Sequence, residues 1–170
     1  MRRVRYSVAV SLDGYIAGPK GEADWIIMDP EIDFSAMFER FDTFLLGRRT
    51  FEMMPPESRR GTPGFKTFVF SRTLRQQDYP GVTIVADKLE ETLAALRAEP
   101  GKDIWLFGGG SLFRSLLDAE LVDTVEVAII PVLLGGGIPL LAPPARQKKL
   151  HLTAHKVYQT GIVLLEYTVQ

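Results

Sequence analysis

Cysteine is absent from this chain of 170 residues. Without it there is no disulfide, no thiolate nucleophile and no cysteine-based metal site. A reducing compartment tolerates such a chain, which fits a cytoplasmic location. Histidine is scarce, with two residues. His151 and His155 fall on one face of an expected strand with Thr153 between them. They have no evident third ligand, so no metal site is expected. An excess of charge is missing too: the formal net charge is −1. No basic field is available to attract a nucleic-acid backbone. No apolar run approaches the ~20 residues of a membrane span. Arginines at the N-terminus are not followed by the apolar stretch of a signal peptide.

Hydrophobic residues make up 46% and charged residues 24% of the chain, the composition of a globular protein. The length fits a single domain with a full core of its own. The most telling stretch is Ile104-Trp105-Leu106-Phe107-Gly108-Gly109-Gly110-Ser111-Leu112-Phe113. A strand-length apolar run stops at three glycines. An amphipathic segment follows, with Leu112, Phe113, Leu116 and Leu117 on one helical face. Strand, glycine turn and helix bring backbone N–H groups up against a phosphate. Glycine serves there because a Cβ would hold the ligand away and forbid positive φ. Close strand–helix packing is the other use of such a turn.

Val4–Val10 reads as a strand ended by the turn signal Asp13-Gly14. Residues 14–30 carry three glycines and two prolines and read as a long loop. Residues 31–41 can form a helix on Phe34, Met37, Phe38 and Phe41. Further strands are expected at 43–46, 66–70, 82–85, 103–107, 123–130, 150–157 and 162–169, with the last two forming a hairpin across Gln159-Thr160-Gly161. Arg48–Met54 opens a helix, and Asp87-Lys88-Leu89-Glu90 has the pattern of a capping box before another that runs to about Glu99. Residues 131–144 read as a loop. This order implies an α/β fold: about eight strands in a mostly parallel central sheet, flanking helices and an antiparallel C-terminal hairpin.

Four segments in order resemble the dihydrofolate reductase-like superfamily. They are Ser11-Leu12-Asp13-Gly14 with Ile16-Ala17, then Gly47-Arg48-Arg49-Thr50-Phe51-Glu52, then Phe107–Phe113, then Ile130-Pro131-Val132-Leu133-Leu134-Gly135-Gly136-Gly137. The nearer match is the reductase (C-terminal) domain of the riboflavin-biosynthesis deaminase/reductase and its stand-alone relatives. The resemblance implies an NADPH-dependent reductase. It places Gly47, Arg48, Arg49 and Thr50, with Ser71 and Arg72, on the adenosine side of the cofactor. It sets Phe107, Gly108, Gly109, Gly110, Ser111, Leu112 and Phe113 against the pyrophosphate, and Ala9, Leu12, Ile16 and Ala17 by the nicotinamide. Arginine forks suit phosphate oxygens, so Arg48, Arg49 and Arg72 favour NADPH over NADH.

Hydride transfer to a C=N, C=C or C=O group also needs a proton. The resemblance puts a carboxylate on the first helix: Glu31 by ungapped counting, Asp33 or Asp29 with a small shift. Acidic residues at a helix start also stabilise its dipole without catalytic duty. Asp13 either polarises substrate or caps its turn. Trp25 either stacks on a heterocycle or fills the core, and Pro131 shapes the pocket mouth. No basic set for a ribosyl-phosphate tail can be placed, nor an arginine set for a folate tail. The expected substrate is therefore a small heterocycle, pterin- or pyrimidine-like, or a carbonyl compound. Relatives of this kind pair as homodimers, which sets the expectation here. A silent nucleotide-binding homodimer that kept the fold and a purely structural dimer are the alternatives.

Overall fold

The computed structural model describes residues 1–170. Ten strands and four helices alternate along the chain. They are β1 (Val4–Ser11), β2 (Tyr15–Ala17), α1 (Phe34–Glu39), β3 (Phe41–Gly47), α2 (Arg48–Met53), β4 (Lys66–Phe70), β5 (Thr83–Val85), α3 (Leu89–Ala98), β6 (Asp103–Gly108), α4 (Gly110–Asp118), β7 (Thr124–Ile130), β8 (Ile138–Pro139), β9 (Leu150–Val157) and β10 (Val163–Val169). Eight strands form one sheet in the order β5-β4-β3-β6-β1-β7-β10-β9. Only β10 runs against its neighbours. The other seven point the same way, so the ends of β1, β3, β4, β6 and β7 share one edge of the sheet.

That geometry explains the four motifs. Ser11, Gly47, Gly108 and Ile130 are the last residues of β1, β3, β6 and β7, so each motif is a turn leaving the carboxyl edge. β1 is central, with β6 on one side and β7 on the other. Ligands of open parallel sheets bind in such a crevice at the carboxyl edge.

The sequence explains the packing. Leu112, Phe113, Leu116 and Leu117 of α4 and Leu93 and Leu96 of α3 bury a stripe against Val4, Tyr6, Val10, Leu45, Ile104 and Leu106. Each fully buried side chain of this size contributes about 1.5–3 kcal/mol. On the other face Phe41, Phe44 and Trp105 pack under Met37 and Phe65. Ile130, Tyr158 and Ile162 pack under Trp25, Ile26 and Ile32.

Several boundaries differ from those expected. The first helix begins at Phe34 because Asp33 caps it, its carboxylate accepting from Ala36 N at 3.0 Å. It ends before Phe41, whose apolar ring starts β3 and lies 5.0 Å from Trp105. The expected capping box does not form. Lys88 is the N-cap in the left-handed region with φ 66°, and Asp87 faces Arg72 instead. Two stretches expected as loops contain β2 and β8, which pair antiparallel as a small second sheet. These strands are three and two residues long, and only the tertiary fold brings them together.

Candidate active site

A cleft of about 1440 Å³ opens along the carboxyl edge of the sheet. At one end its wall is Gly47, Arg48, Arg49, Thr50, Ser71, Arg72, Asp87 and Lys88, with Gly108, Gly109, Gly110, Ser111 and Leu112 beside them. Gly47 and Gly108 end adjacent strands, and a Cβ at Gly47 would lie 3.7 Å from Gly108 O. One at Gly108 or Gly109 would meet Thr50, at 3.5 and 3.3 Å. Gly109 also has φ +99°, so the turn itself selects glycine there. Gly110 has a different reason: its Cβ would stand 2.6 Å from Pro139 O. Close packing, the second use of a glycine turn, therefore governs the third glycine.

The cations at this end differ in their commitments. Arg48 pairs with Glu52 at 2.8 Å, one helical turn on. Arg72 faces Asp87 at 3.5 Å, with both side chains exposed. Arg49 is exposed and has no ion pair. Ser71 Oγ accepts from the backbone N of Thr73 and Leu74 at 3.2 and 3.0 Å, so its hydroxyl is already engaged in the turn.

Ala9, Ile16, Ala17, Gly137, Ile138 and Pro139 form an apolar stretch of the wall. The small β2–β8 sheet holds it in place, and Leu140 N donates to Gly14 O at 2.9 Å. Tyr6 reaches this segment from the core, its hydroxyl donating to Leu140 O at 3.3 Å. Burial pushes that hydroxyl's pKa well up, so it stays protonated.

Another part of the wall is apolar and aromatic and includes Phe38, Trp105 and Phe107. Trp105 lies 5.3 Å from each of the two phenylalanines, centroid to centroid. Its indole N–H donates to Ser7 O at 3.0 Å. In this apolar setting Arg40 and Glu126 are cleft-lining charged residues.

Sixteen expected site residues line the cleft: Ala9, Ile16, Ala17, Asp33, Gly47, Arg48, Arg49, Thr50, Ser71, Arg72, Phe107, Gly108, Gly109, Gly110, Ser111 and Leu112. The others lie elsewhere. Phe113 is in the core, 4% exposed and stacked 3.8 Å from Tyr6, because the next residue along a helix turns about 100° from Leu112. Leu12 is 65% exposed and outside the wall. Trp25 packs over Ile130, Tyr158 and Ile162 with its N–H on Glu22 O at 2.9 Å. Pro131 is exposed and lies against Gly161. Glu31 is exposed, precedes α1 and is off the wall.

Asp13 and Asp29 hold loops. Asp13 accepts from Ser11 Oγ at 2.7 Å, Leu134 N at 3.1 Å and Gly135 N at 2.7 Å. The Ser11 bond, then those from the backbone, lower its pKa to about 2. It is a carboxylate at neutral pH and pins the 131–137 turn. Asp29, 3% exposed, accepts from Thr160 Oγ1 at 2.6 Å and Glu31 N at 2.8 Å, and its pKa is also lowered, chiefly by Thr160. It ties the loop after β2 to the β9–β10 turn.

Arg40, Glu126, Trp105 and Phe38 were not among the expected site residues. One signal existed for Glu126: it is the lone charge inside Val125-Glu126-Val127-Ala128-Ile129-Ile130.

A parallel sheet with a glycine-lined, cation-rimmed cleft at its carboxyl edge, running on into an aromatic chamber, defines a reductase-like oxidoreductase of the dihydrofolate reductase-like class. The chain belongs to the RibD C-terminal domain family, whose model matches residues 2–164. It is 35% identical over 178 aligned positions to the uncharacterized protein YyaP of Bacillus subtilis (strain 168), covering 98% of this chain and 94% of that one. A crystal structure of a Shewanella sp. PV-4 protein named for riboflavin biosynthesis superposes with a TM-score of 0.82 at 28% identity, covering 100% and 99% of the two chains. Dihydrofolate reductase from Enterococcus faecalis, complexed with NADP(H), shares the fold with a TM-score of 0.71 at 21% identity, covering 99% and 96%.

Proposed function

We propose that this chain is a single-domain NADPH-dependent reductase that transfers a hydride to a C=N, C=C or C=O group of a small heterocyclic or carbonyl substrate. The observation that carries this is the division of one continuous cleft. One part of its wall has glycines and cations, another is apolar, and a third is aromatic. The Enterococcus dihydrofolate reductase, complexed with NADP(H), supports the same cofactor on this fold.

The residues present fit such a cofactor. Gly47 and Gly108 leave open the space that side chains would fill. The first N–H groups of α4 have no acceptor within the helix and suit a pyrophosphate. Arg48, Arg49, Arg72 and Lys88 suit a 2′-phosphate. Ala9, Ile16 and Ala17 give the nicotinamide an apolar wall that excludes water. The bound cofactor supplies the hydride, and the chain's own residues orient the two reactants. Asp33 is the one expected acid on the cleft wall, and it is the proposed side-chain route for the proton, with water as the other source.

Titration with NADPH and NADH, followed by tryptophan fluorescence, tests the cofactor reading. Saturable and tighter binding of NADPH is expected, and no binding of either nucleotide refutes it. Substrates are then screened among dihydropterins, aminopyrimidines and small carbonyls by loss of NADPH absorbance. Asp33→Asn isolates the proton route because asparagine still caps a helix. Unchanged turnover in this variant excludes Asp33. Binding of NADPH without turnover of any class would favour the silent nucleotide-binding reading, which the engaged carboxylates of Asp13 and Asp29 support.

A homodimer is part of the same proposal. β9 is an edge strand exposed throughout, and it presents Leu150, Leu152 and Val157 at 42%, 44% and 67% exposure. Such an edge is a template for pairing with a second copy. Sedimentation equilibrium reads the mass directly. No helix is long and apolar enough to cross a membrane; the proposed location is the cytoplasm.

A further inference from the structure

Arg40 and Glu126 stand out because an apolar chamber gains nothing from a buried charge. Glu126 lies at the middle of β7, opposite Ser7 on β1 and Glu166 on β10. Its side chain is 7% exposed. Burying a carboxylate is costly unless it is paired and hydrogen-bonded. Arg5 Nη1 donates to its Oε1 at 2.8 Å. Burial works against the charge on Arg5, but the hydrogen bonds it donates to Asp103 and Glu126 more than offset this and raise its pKa. Arg5 alone therefore already gives Glu126 a permanent counter-charge.

Arg40 is a second partner and a different kind of residue. Its Nη2 donates to Glu126 Oε1 at 2.9 Å, and its Nη1 approaches Oε2 at 3.4 Å. Its guanidinium carbon sits 5.6 Å from the centroid of Phe41, the ring next to Trp105. These contacts fix the plane of the fork. Yet its side chain is 39% exposed in the cleft. A guanidinium has five N–H donors; three of Arg40's have no acceptor in the fold.

We propose that Arg40, oriented by Glu126, is the specificity-determining anchor of the aromatic chamber, and that it recognises an uncharged ring-carbonyl oxygen on a flat substrate. This rests on the reductase reading and names the substrate class for that site. The flatness follows from the wall of Phe38, Trp105 and Phe107, two of which are partly exposed, at 39% and 37%. The preference for a neutral oxygen follows from charge. Arg5 and Arg40 contribute two positive charges, and Asp103, Glu126 and Glu166 three negative ones, all joined in one network of net charge −1. A carboxylate or phosphate would enter against that balance. A cyclic amide or ketone oxygen accepts from the free N–H groups without doing so.

Three probes test this: 2-quinolinone (a neutral ring carbonyl), indole (no acceptor oxygen) and 2-naphthoate (an anion). They are titrated calorimetrically into the full chain, with and without NADPH. 2-Quinolinone is expected to bind at least about tenfold more tightly than the other two, a difference a buried hydrogen-bonding site can supply. Arg40→Gln is expected to lower its affinity at least about fivefold while leaving NADPH affinity unchanged. Glu126→Gln keeps an acceptor for both arginines but removes the charge. It is expected to move selectivity toward 2-naphthoate, a change a purely structural ion pair would not produce. If Arg40→Gln does not fold, Arg40→Lys carries the same comparison, since it keeps the charge and loses the fork. Equal binding of the three probes, failure of 2-quinolinone to bind, or an Arg40 variant within twofold of wild type overturns the proposal. The nucleotide-free titrations keep this outcome separate from failure of NADPH to bind.

Discussion

Gly108 and Gly110 sit two residues apart in one turn, yet alanine should act on them through different physics. At Gly110 the new methyl would lie 2.6 Å from Pro139 O, 3.3 Å from Ala142 N and 3.4 Å from Leu140 O. All three are backbone atoms, and each is held. Ala142 N donates to Gly110 O, Leu140 N to Gly14 O, and Arg114 Nη1 to Pro143 O at 3.0 Å. Nothing there is the free end of a side chain, so the 138–143 segment must shift off α4. Overpacking of this kind costs about 1–3 kcal/mol. For a domain of this size that lowers Tm by roughly 2–4 °C per kcal/mol.

At Gly108 the nearest atoms are the Thr50 side-chain Cγ2 and Oγ1, both at 3.5 Å, an ordinary contact. Gly108 is not among the residues with positive φ. Reduced freedom of the unfolded chain then makes Gly108→Ala neutral or stabilising by up to about 1 kcal/mol. Its methyl instead projects into the proposed phosphate cradle. We expect Gly108→Ala to keep or raise Tm and lose at least about tenfold in NADPH affinity, or roughly 1.4 kcal/mol. Gly110→Ala should lose Tm first. Differential scanning calorimetry and fluorescence titration on both variants read the two effects. A Gly110→Ala protein as stable as wild type, or a Gly108→Ala protein with wild-type NADPH affinity, would refute the division of roles.

Phe113→Ala should cost about 3–5 kcal/mol by urea denaturation, since it removes a ring stacked on Tyr6; NADPH affinity of the folded fraction should not change. Arg49→Ala should reduce the preference for NADPH over NADH more than Arg72→Ala does, because Arg72 already faces Asp87 while Arg49 has no ion pair; parallel nucleotide titrations rank them. Acid should loosen the 131–137 turn. Asp13 has its pKa lowered from 3.8 to about 2, so its stabilisation is complete above about pH 4 and is lost as pH falls through 2. Asp29, lowered as well, acts in the same direction on the β9–β10 turn. Tm measured between pH 5 and pH 2 should fall more steeply for wild type than for Asp13→Ala, and equal slopes would exclude the Asp13 clamp.

The parallel strands were legible because each is a short apolar run cut by a glycine or polar turn, as Thr43–Leu46 is by Gly47. The edge they share brings the four motifs together, so most of the glycine-and-cation part of the cleft was legible with them. What was not legible depends on partners far away in sequence. Tyr15 pairs with Pro139 and Ala17 with Ile138, and strands this short have no periodicity to read. Phe113 and Leu112 share one apolar face in projection, but only Leu112 reaches the cleft. Around Asp29 three carboxylates clustered at a helix start. The fold gave them three tasks: Asp29 ties two loops, Glu31 faces solvent and Asp33 caps α1 at the cleft wall.

The aromatic chamber shows why the proposed substrate side is harder to read than the proposed cofactor side. A pyrophosphate is met by backbone at strand ends, so glycines report it locally. The far chamber is assembled from α1, β1, β6, β7 and β10 through Phe38, Ser7, Trp105, Glu126 and Leu164. Its proposed polar anchor, Arg40, is held by a mid-strand carboxylate 86 residues later, which also accepts from an arginine 121 residues before it. Along the chain each of these residues looks like an isolated core or surface position. The proposed substrate preference therefore rests on cross-strand register, which sets Ser7, Glu126 and Glu166 side by side. A one-residue slip of β7 would turn Glu126 to the opposite face, out of reach of Arg40.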